Sequence, residues 1–153
     1  MDFIEGVIKF NKAAGRTDDV FDPRAIALHT GFQLEELAEK IAAIPNADLQ
    51  RLVHDMQAIG SLMKAGGFDA DVAKADRLEL ADGDVDVMVV TVGSLMSQGV
   101  NVQGACCEVN RSNLDKLLPD GSVLKDANGK IQKPEGWKKP NLVPFVLEQA
   151  QAA

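Results

Sequence analysis

The run Val85-Asp86-Val87-Met88-Val89-Val90-Thr91-Val92 constrains the fold more than any other stretch of the chain. Its β-branched residues read by propensity as a strand. Gly83, just ahead of it, costs a helix about 1 kcal/mol relative to alanine. Period alone does not separate a buried strand from a buried helix. The rest of the sequence leans the choice to helix: no second valine-rich run exists to pair with this one, and a lone strand makes no sheet. Asp69 or Asp71 is the expected cap of that helix, which also carries Leu78 and the carboxylates Glu79, Asp82 and Asp86.

The remaining segments follow helical spacing. Phe3, Ile4, Val7, Ile8 and Phe10 predict a first helix over residues 2–14, ended by Gly15. Asp22-Pro23 is a helix start, with Asp as cap and Pro in the first turn. Ile26, Leu28, Phe32, Leu34, Leu37 and Ile41 carry that second helix to about Ala43, and Pro45 stops it. Asn46 caps a third helix over about 47–65, with Leu49, Leu52, Val53, Met56, Ile59 and Met63 on its stripe and Gly66-Gly67 at its end. Asn101 caps another through about Leu118. Residues 122–133 read as a β-hairpin turning at Asn128-Gly129. An extended or looped stretch follows over 134–142, so hairpin and tail cover about 119–142. Pro144 opens a final helix through Gln151. The expectation is one all-α domain over residues 1–153, a helical bundle whose acidic helices form a metal site, with a small C-terminal hairpin and extended segment.

Charge narrows the function classes. The net charge of −7 disfavours nucleic acid, whose binders carry basic excess. It leaves nucleotide chemistry open, because a bound cation reverses the field around clustered carboxylates. Cys106 and Cys107 are adjacent and the only cysteines, which fits neither a zinc site nor a disulfide framework; a pair of small buried thiols is expected. The start lacks the basic and apolar regions of a signal peptide, and no apolar run approaches the roughly 20 residues of a membrane span. The expected location is the cytoplasm. His54 and His29 read as packing or surface residues, His29 lying about one turn before the glutamates.

Two groups of residues carry candidate chemistry. Glu36 and Glu39 share one side of their helix, with Glu35 on the other flank of Glu39. Glu79, Asp82 and Asp86 fall within about 60° of arc on theirs. Two such faces suit Mg²⁺, a hard cation that takes oxygen ligands; the ordinary alternative is two solvated faces of amphipathic helices. The second group is cationic and confined to the last third: Arg111 with Asn113 and Lys116, then Lys125, Lys130, Lys133, Lys138 and Lys139. Arginine and lysine suit phosphate oxygens, and the intervening Asn and Ser add hydrogen bonds. Metal-neutralised phosphates beside a carboxylate-activated water are what phosphoanhydride cleavage requires. No P-loop and no Gly-x-Ser-x-Gly elbow is present.

These motifs resemble those of the all-α nucleotide pyrophosphohydrolases, the superfamily of MazG-like and phosphoribosyl-ATP pyrophosphohydrolase-like proteins. Glu35-Glu36-Leu37-Ala38-Glu39 is similar to its Glu-Glu-x-x-Glu helix, and Asp82 to Gly93 to its second acidic helix. Glu108 to Lys116 resembles its Val-x-Arg-Ser-Asn-x-x-Lys segment, the most specific part of a likeness running from about residue 24 to 142. The resemblance implies helices throughout the core, residues 85–92 included. It implies a Mg²⁺-dependent enzyme, with Mn²⁺ as the substitute, that splits a nucleoside triphosphate or a phosphoribosyl-ATP-like nucleotide between its α and β phosphates. Homodimers or homotetramers with sites near subunit interfaces are implied too. Carried over by position, Glu36, Glu39, Asp82 and Asp86 are metal ligands. Glu35 and Glu79 are a further ligand or the base, and Glu39 shares the catalytic role with Glu35. Asn113 and Lys116 contact phosphate, with Arg111, Lys130 and Lys133 beside them. The family's second motif has a glutamate three residues before its aspartate, where this chain has Gly83, so the metal pair is either Glu79 with Asp82 or Asp82 with Asp86. The rival reading is a catalytically inactive helical oligomer that binds nucleotide or serves a structural role. A third, a nucleic-acid-binding hairpin at 122–139, is opposed by the overall charge.

Overall fold

The computed structural model describes residues 2–126 and 130–146. All its extended elements are helices: α1 (Phe3–Ala13), α2 (Pro23–Ala42), α3 (Ala47–Lys64), α4 (Asp69–Val72), α5 (Arg77–Ser97) and α6 (Val102–Leu114), with one 3-10 turn at Val143–Phe145. The chain divides into two compact units, Asp19–Leu80 and the remainder, the division falling inside α5 between Leu80 and Ala81.

Capping side chains set most of the helix starts. Asp2 and Glu5 form a reciprocal capping box on α1, satisfying two backbone N–H groups that a helix start leaves free. Asp22 accepts from Ala25 N at 3.0 Å, with Pro23 in the first turn of α2. Asn46 accepts from Asp48 N at 2.8 Å on α3. Gly66 ends that helix at φ +90, a left-handed conformation that side chains with a Cβ resist.

In the Asp19–Leu80 unit, α2 packs on α3, and the short α4 packs on α2. Gly31 and Gly60 allow the close approach: a Cβ on Gly31 would stand 2.7 Å from the carbonyl oxygen of Gly60. Ala27 and Ala38, both fully buried, and Val53 fill this interface. Arg24 of α2 donates to the carbonyls of Met63 and Lys64 at the end of α3, where Met63 O also accepts from Gly66 N at 3.1 Å. In the other unit α1 packs on α6, with Gly6 against the amide of Asn110, and Phe145 covers Gly104.

Residues 85–92 are helical, within α5. The helix is capped by neither Asp69 nor Asp71. Asp76 accepts from Leu78 N at 2.8 Å and Glu79 N at 3.4 Å, while Asp69 and Asp71 lie in α4. No residue of α5 is buried. The helix expected to reach Leu118 ends at Leu114: Lys116 N and Leu117 N turn to the tighter i−3 carbonyls of Asn113 and Leu114, and Leu118 N then donates to Ser122 O. No strand forms among the described residues, so the expected hairpin is corrected to isolated antiparallel bridges, Leu117–Val123 and Lys125–Ile131, with a third joining Val100 to Val146. A two-stranded hairpin is marginal without a partner surface. Here, among the described residues, Asp126 N to Lys130 O and Gln132 N to Leu124 O tie the arms across the backbone. The Asn128-Gly129 turn lies outside the described residues. The final helix expected from Pro144 is corrected at its start, where Val143–Phe145 form a 3-10 turn and Val146 is extended and bridged to Val100; residues 147–153 lie outside the described residues. No helix among the described residues is long and apolar enough to cross a membrane.

Candidate functional site

Each unit carries part of the chemistry read from the sequence. In the Asp19–Leu80 unit, α2 and α3 enclose a cleft of about 240 Å³ lined by Glu35, Glu39, Gln57, Gly60, Ser61 and Lys64. The glycine contact brings Lys64 within reach of α2, where its Nζ donates to Glu35 Oε2 at 2.8 Å and lies 5.6 Å from the Phe32 ring centroid. Glu35 is therefore engaged with a cation, while Glu36 and Glu39 are exposed on the same helix. The pair is half-buried at the cleft and still in contact with solvent, where an ion pair contributes about 1 kcal/mol, so Lys64 shapes the charge of the cleft more than the stability of the unit. His29 meets Phe32 edge-on, with centroids 6.0 Å apart, and His54 is exposed beside Asp55.

Glu79, Asp82 and Asp86 are exposed on α5. Among the described residues, no group of three or more His, Cys, Asp or Glu side chains is placed to hold a metal ion. The cluster expected of the acidic helices is therefore not assembled among the described residues. A Mg²⁺ ion is octahedral and is commonly held by one or two carboxylates, with water and substrate phosphate completing its shell. A pair of carboxylates one helical turn apart supplies two ligands, and Glu35 is occupied by Lys64. No chemical step is derived through a metal.

The cationic group behaves differently. The tail after the bridges is laid along α6 by a set of specific bonds. Ser112, 2% exposed, uses both its polar groups: its hydroxyl donates to Lys138 O at 3.1 Å, and its carbonyl accepts from Trp137 Nε1 at 2.7 Å. Glu108 accepts from the backbone N–H of Asn141 at 2.9 Å and from Arg111 Nε and Nη2 at 2.9 and 2.8 Å. Arg111 also bonds to Asp115 one turn on. These bonds, the Arg111 guanidinium first and the Asn141 N–H second, hold the Glu108 carboxyl down at about 2. Arg111, expected at phosphate, is thus taken up by two carboxylates of its own helix.

The clamped tail delivers Trp137 to the end of α6. Lys116 Nζ lies 5.6 Å from its ring centroid and 5.5 Å from that of Phe10 on α1. Lys133 Nζ lies 4.5 Å from the same indole. Each contact of this kind is worth about 0.5–1 kcal/mol when exposed and more when desolvated. Asn113 Oδ1 accepts from Lys116 Nζ at 2.8 Å. Burial, and then the charge of Lys133, push the Lys116 ammonium below its usual range. Neither lysine has an ion-pair partner among the described residues. Three expected phosphate contacts, Asn113, Lys116 and Lys133, therefore converge, while Lys130 is exposed and pairs with Asp126 through its backbone.

Two members of this cluster were not read from the sequence as functional, Phe10 and Trp137. The signal available for Trp137 was its position as the chain's single tryptophan among four lysines, Lys130, Lys133, Lys138 and Lys139. The cysteines were expected to be buried; Cys106 is half-buried and Cys107 exposed on α6. Set against known protein families, curated proteins and solved structures, the chain matches none of them.

Proposed function

We propose that the protein is a nucleotide pyrophosphohydrolase, cleaving a nucleoside triphosphate or a phosphoribosyl-ATP-like nucleotide to monophosphate and pyrophosphate with Mg²⁺ as cofactor. One observation carries the reading. Two ammonium groups share one indole with no carboxylate paired to either among the described residues, in a chain whose net charge is −7. Like charges held together at some desolvation cost suit a multiply charged anion, and a polyphosphate is the class that fits. Asn113 orients Lys116 toward such a ligand, while Arg111 holds the end of α6 rigid by its bonds to Glu108 and Asp115. Glu36, Glu39, Glu79, Asp82 and Asp86 are the carboxylates assigned to metal in this proposal, with Glu39 sharing the catalytic role.

The test is pyrophosphate release over a panel of canonical, deoxy and modified triphosphates and phosphoribosyl-ATP. Glu39→Gln and Asp86→Asn are each expected to abolish Mg²⁺-dependent release while circular dichroism keeps its helical signal. Full turnover in both variants refutes the proposal. The rival is a nucleotide-binding protein without hydrolysis, favoured by the Lys64 ion pair that occupies Glu35. It predicts tight binding of a non-hydrolysable triphosphate, loss of that binding in Lys116→Ala/Lys133→Ala, and no release from any nucleotide.

A further inference from the structure

We propose that Lys116 is a nucleophilic amine that captures a phosphorylated aldehyde as an imine, with Lys133 holding the phosphate. A lysine becomes a nucleophile near neutral pH in a desolvated pocket or beside a second cation. Lys116 has both settings. Its ammonium lies against two rings, Phe10 of α1 and Trp137 of the tail, and the Lys133 ammonium shares that indole. Its hydrogen bond goes to a neutral acceptor, Asn113 Oδ1, at 2.8 Å. No carboxylate pairs with it among the described residues: Glu108 and Asp115 are taken by Arg111, and Asp18 by Lys12. Burial, then the charge of Lys133, makes the proton on Lys116 easier to lose. The two rings oppose this, but at 5.5 and 5.6 Å they stand near the outer limit of about 6 Å for such a contact.

The other lysines are differently placed. Lys12 and Lys64 are paired with Asp18 and Glu35, and Lys125 donates to Ala14 O. Lys133 and the rest are exposed, where water keeps the ammonium form. Lys133 is therefore the charge that meets an anion, and Lys116 the amine that meets an electrophile. An aldehyde carrying a phosphate supplies both partners in one ligand, and a held phosphate makes the attack effectively intramolecular. The role of Lys133 rests on the anion site proposed above; the amine chemistry of Lys116 does not. In the step itself Lys116 gives its ammonium proton to solvent, its nitrogen lone pair attacks the carbonyl carbon, and a C–N bond forms. The carbonyl oxygen then leaves as water with the two remaining amine protons, completing the C=N bond. No oxidant or reductant is consumed.

The test uses the full chain with substoichiometric pyridoxal 5′-phosphate, borohydride reduction and peptide mapping by mass spectrometry. Label on Lys116 is expected at least about tenfold above that on exposed lysines such as Lys9 and Lys74, the gain of a held reactant. Label spread evenly, or concentrated on the exposed lysines, overturns the proposal. Lys116→Arg keeps the charge and removes the nucleophile. It is expected to retain its helical circular dichroism and to lose the visible absorbance of the imine; absorbance that persists overturns the assignment to Lys116. Lys133→Ala, and pyridoxal without its phosphate, are each expected to bring the labelling of Lys116 down toward that of the exposed lysines. An unchanged preference in both overturns the role of Lys133. Inorganic pyrophosphate is expected to protect Lys116. Selective labelling that pyrophosphate does not slow would refute the polyphosphate reading and leave the amine chemistry standing.

Discussion

Alanine placed at three helical glycines tests the packing directly, because one substitution meets three different surroundings. Replacing a helix-interior glycine by alanine favours the helix by roughly 0.5–1 kcal/mol wherever it sits. At Gly83 the new methyl group meets nothing within 4 Å, so the propensity gain stands alone and Gly83→Ala is expected to stabilise by about 0.5–1 kcal/mol. At Gly60 it approaches Gly31 O at 3.0 Å and Leu34 Cβ at 3.4 Å, contacts that a shift of a few tenths of an ångström relieves. A near-neutral result is expected there. At Gly31 it stands 2.7 Å from Gly60 O and 2.7 Å from Lys64 Cγ, and the first of these is backbone that cannot swing aside. Overpacking costs about 1–3 kcal/mol, so after the propensity gain Gly31→Ala is expected to destabilise by about 1–2 kcal/mol. Urea denaturation followed by circular dichroism measures all three. The propensity gain is common to the series, and the spread from Gly83 to Gly31, about 2 kcal/mol, is the steric effect alone. A Gly31→Ala protein as stable as Gly83→Ala would refute the α2–α3 contact. A destabilised Gly83→Ala would refute α5 as a helix open to solvent at that position.

The Glu108 carboxyl gives a pH prediction. Its pKa falls from 4.5 to about 2 on folding, so its bonds to Arg111 and Asn141 contribute fully above pH 4.5 and are lost as pH drops toward 2. Fluorescence of Trp137, the only tryptophan, is expected to report release of the tail in that window, and Glu108→Gln to remove the transition; an unchanged titration in the variant would assign it elsewhere. Trp137→Leu removes two cation–π contacts and the donor to Ser112 O, and calorimetry is expected to show affinity for inorganic pyrophosphate lowered about tenfold. Wild-type affinity in that variant would remove the indole from the site.

The sequence made helices legible where a cap or a breaker stands alone: Asp22-Pro23, Asn46 and Gly66 mark ends that the structure keeps within a residue or two. For α5 the decisive clue was the missing partner strand, a property of the whole chain that no local window contains. Boundaries failed where candidates compete. Asp69, Asp71 and Asp76 are chemically equal caps, and only the short α4 separates them. The site was legible in part for a similar reason. Lys116 and Asn113 are three residues apart on one helix, so their meeting follows from its pitch. The Glu35–Lys64 pair spans 29 positions and depends on a close helix approach that two isolated glycines do not announce. Phe10 beneath Lys116 depends on α1 lying against α6. The fate of Arg111 was written in the spacing of Glu108 and Asp115, three residues before it and four after.

Ser112 fastens the tail with its hydroxyl and its carbonyl at once, and the tryptophan it holds is the floor of the lysine cluster. If the proposed anion binds there, fastening and binding are two readings of one equilibrium. An anion held by Lys116 and Lys133 is then expected to draw the tail down and to slow amide hydrogen exchange at Asn141 by the factor that its binding contributes. By reciprocity, loosening the tail at Ser112 is expected to weaken that anion by the same factor, from a residue outside the lysine pair.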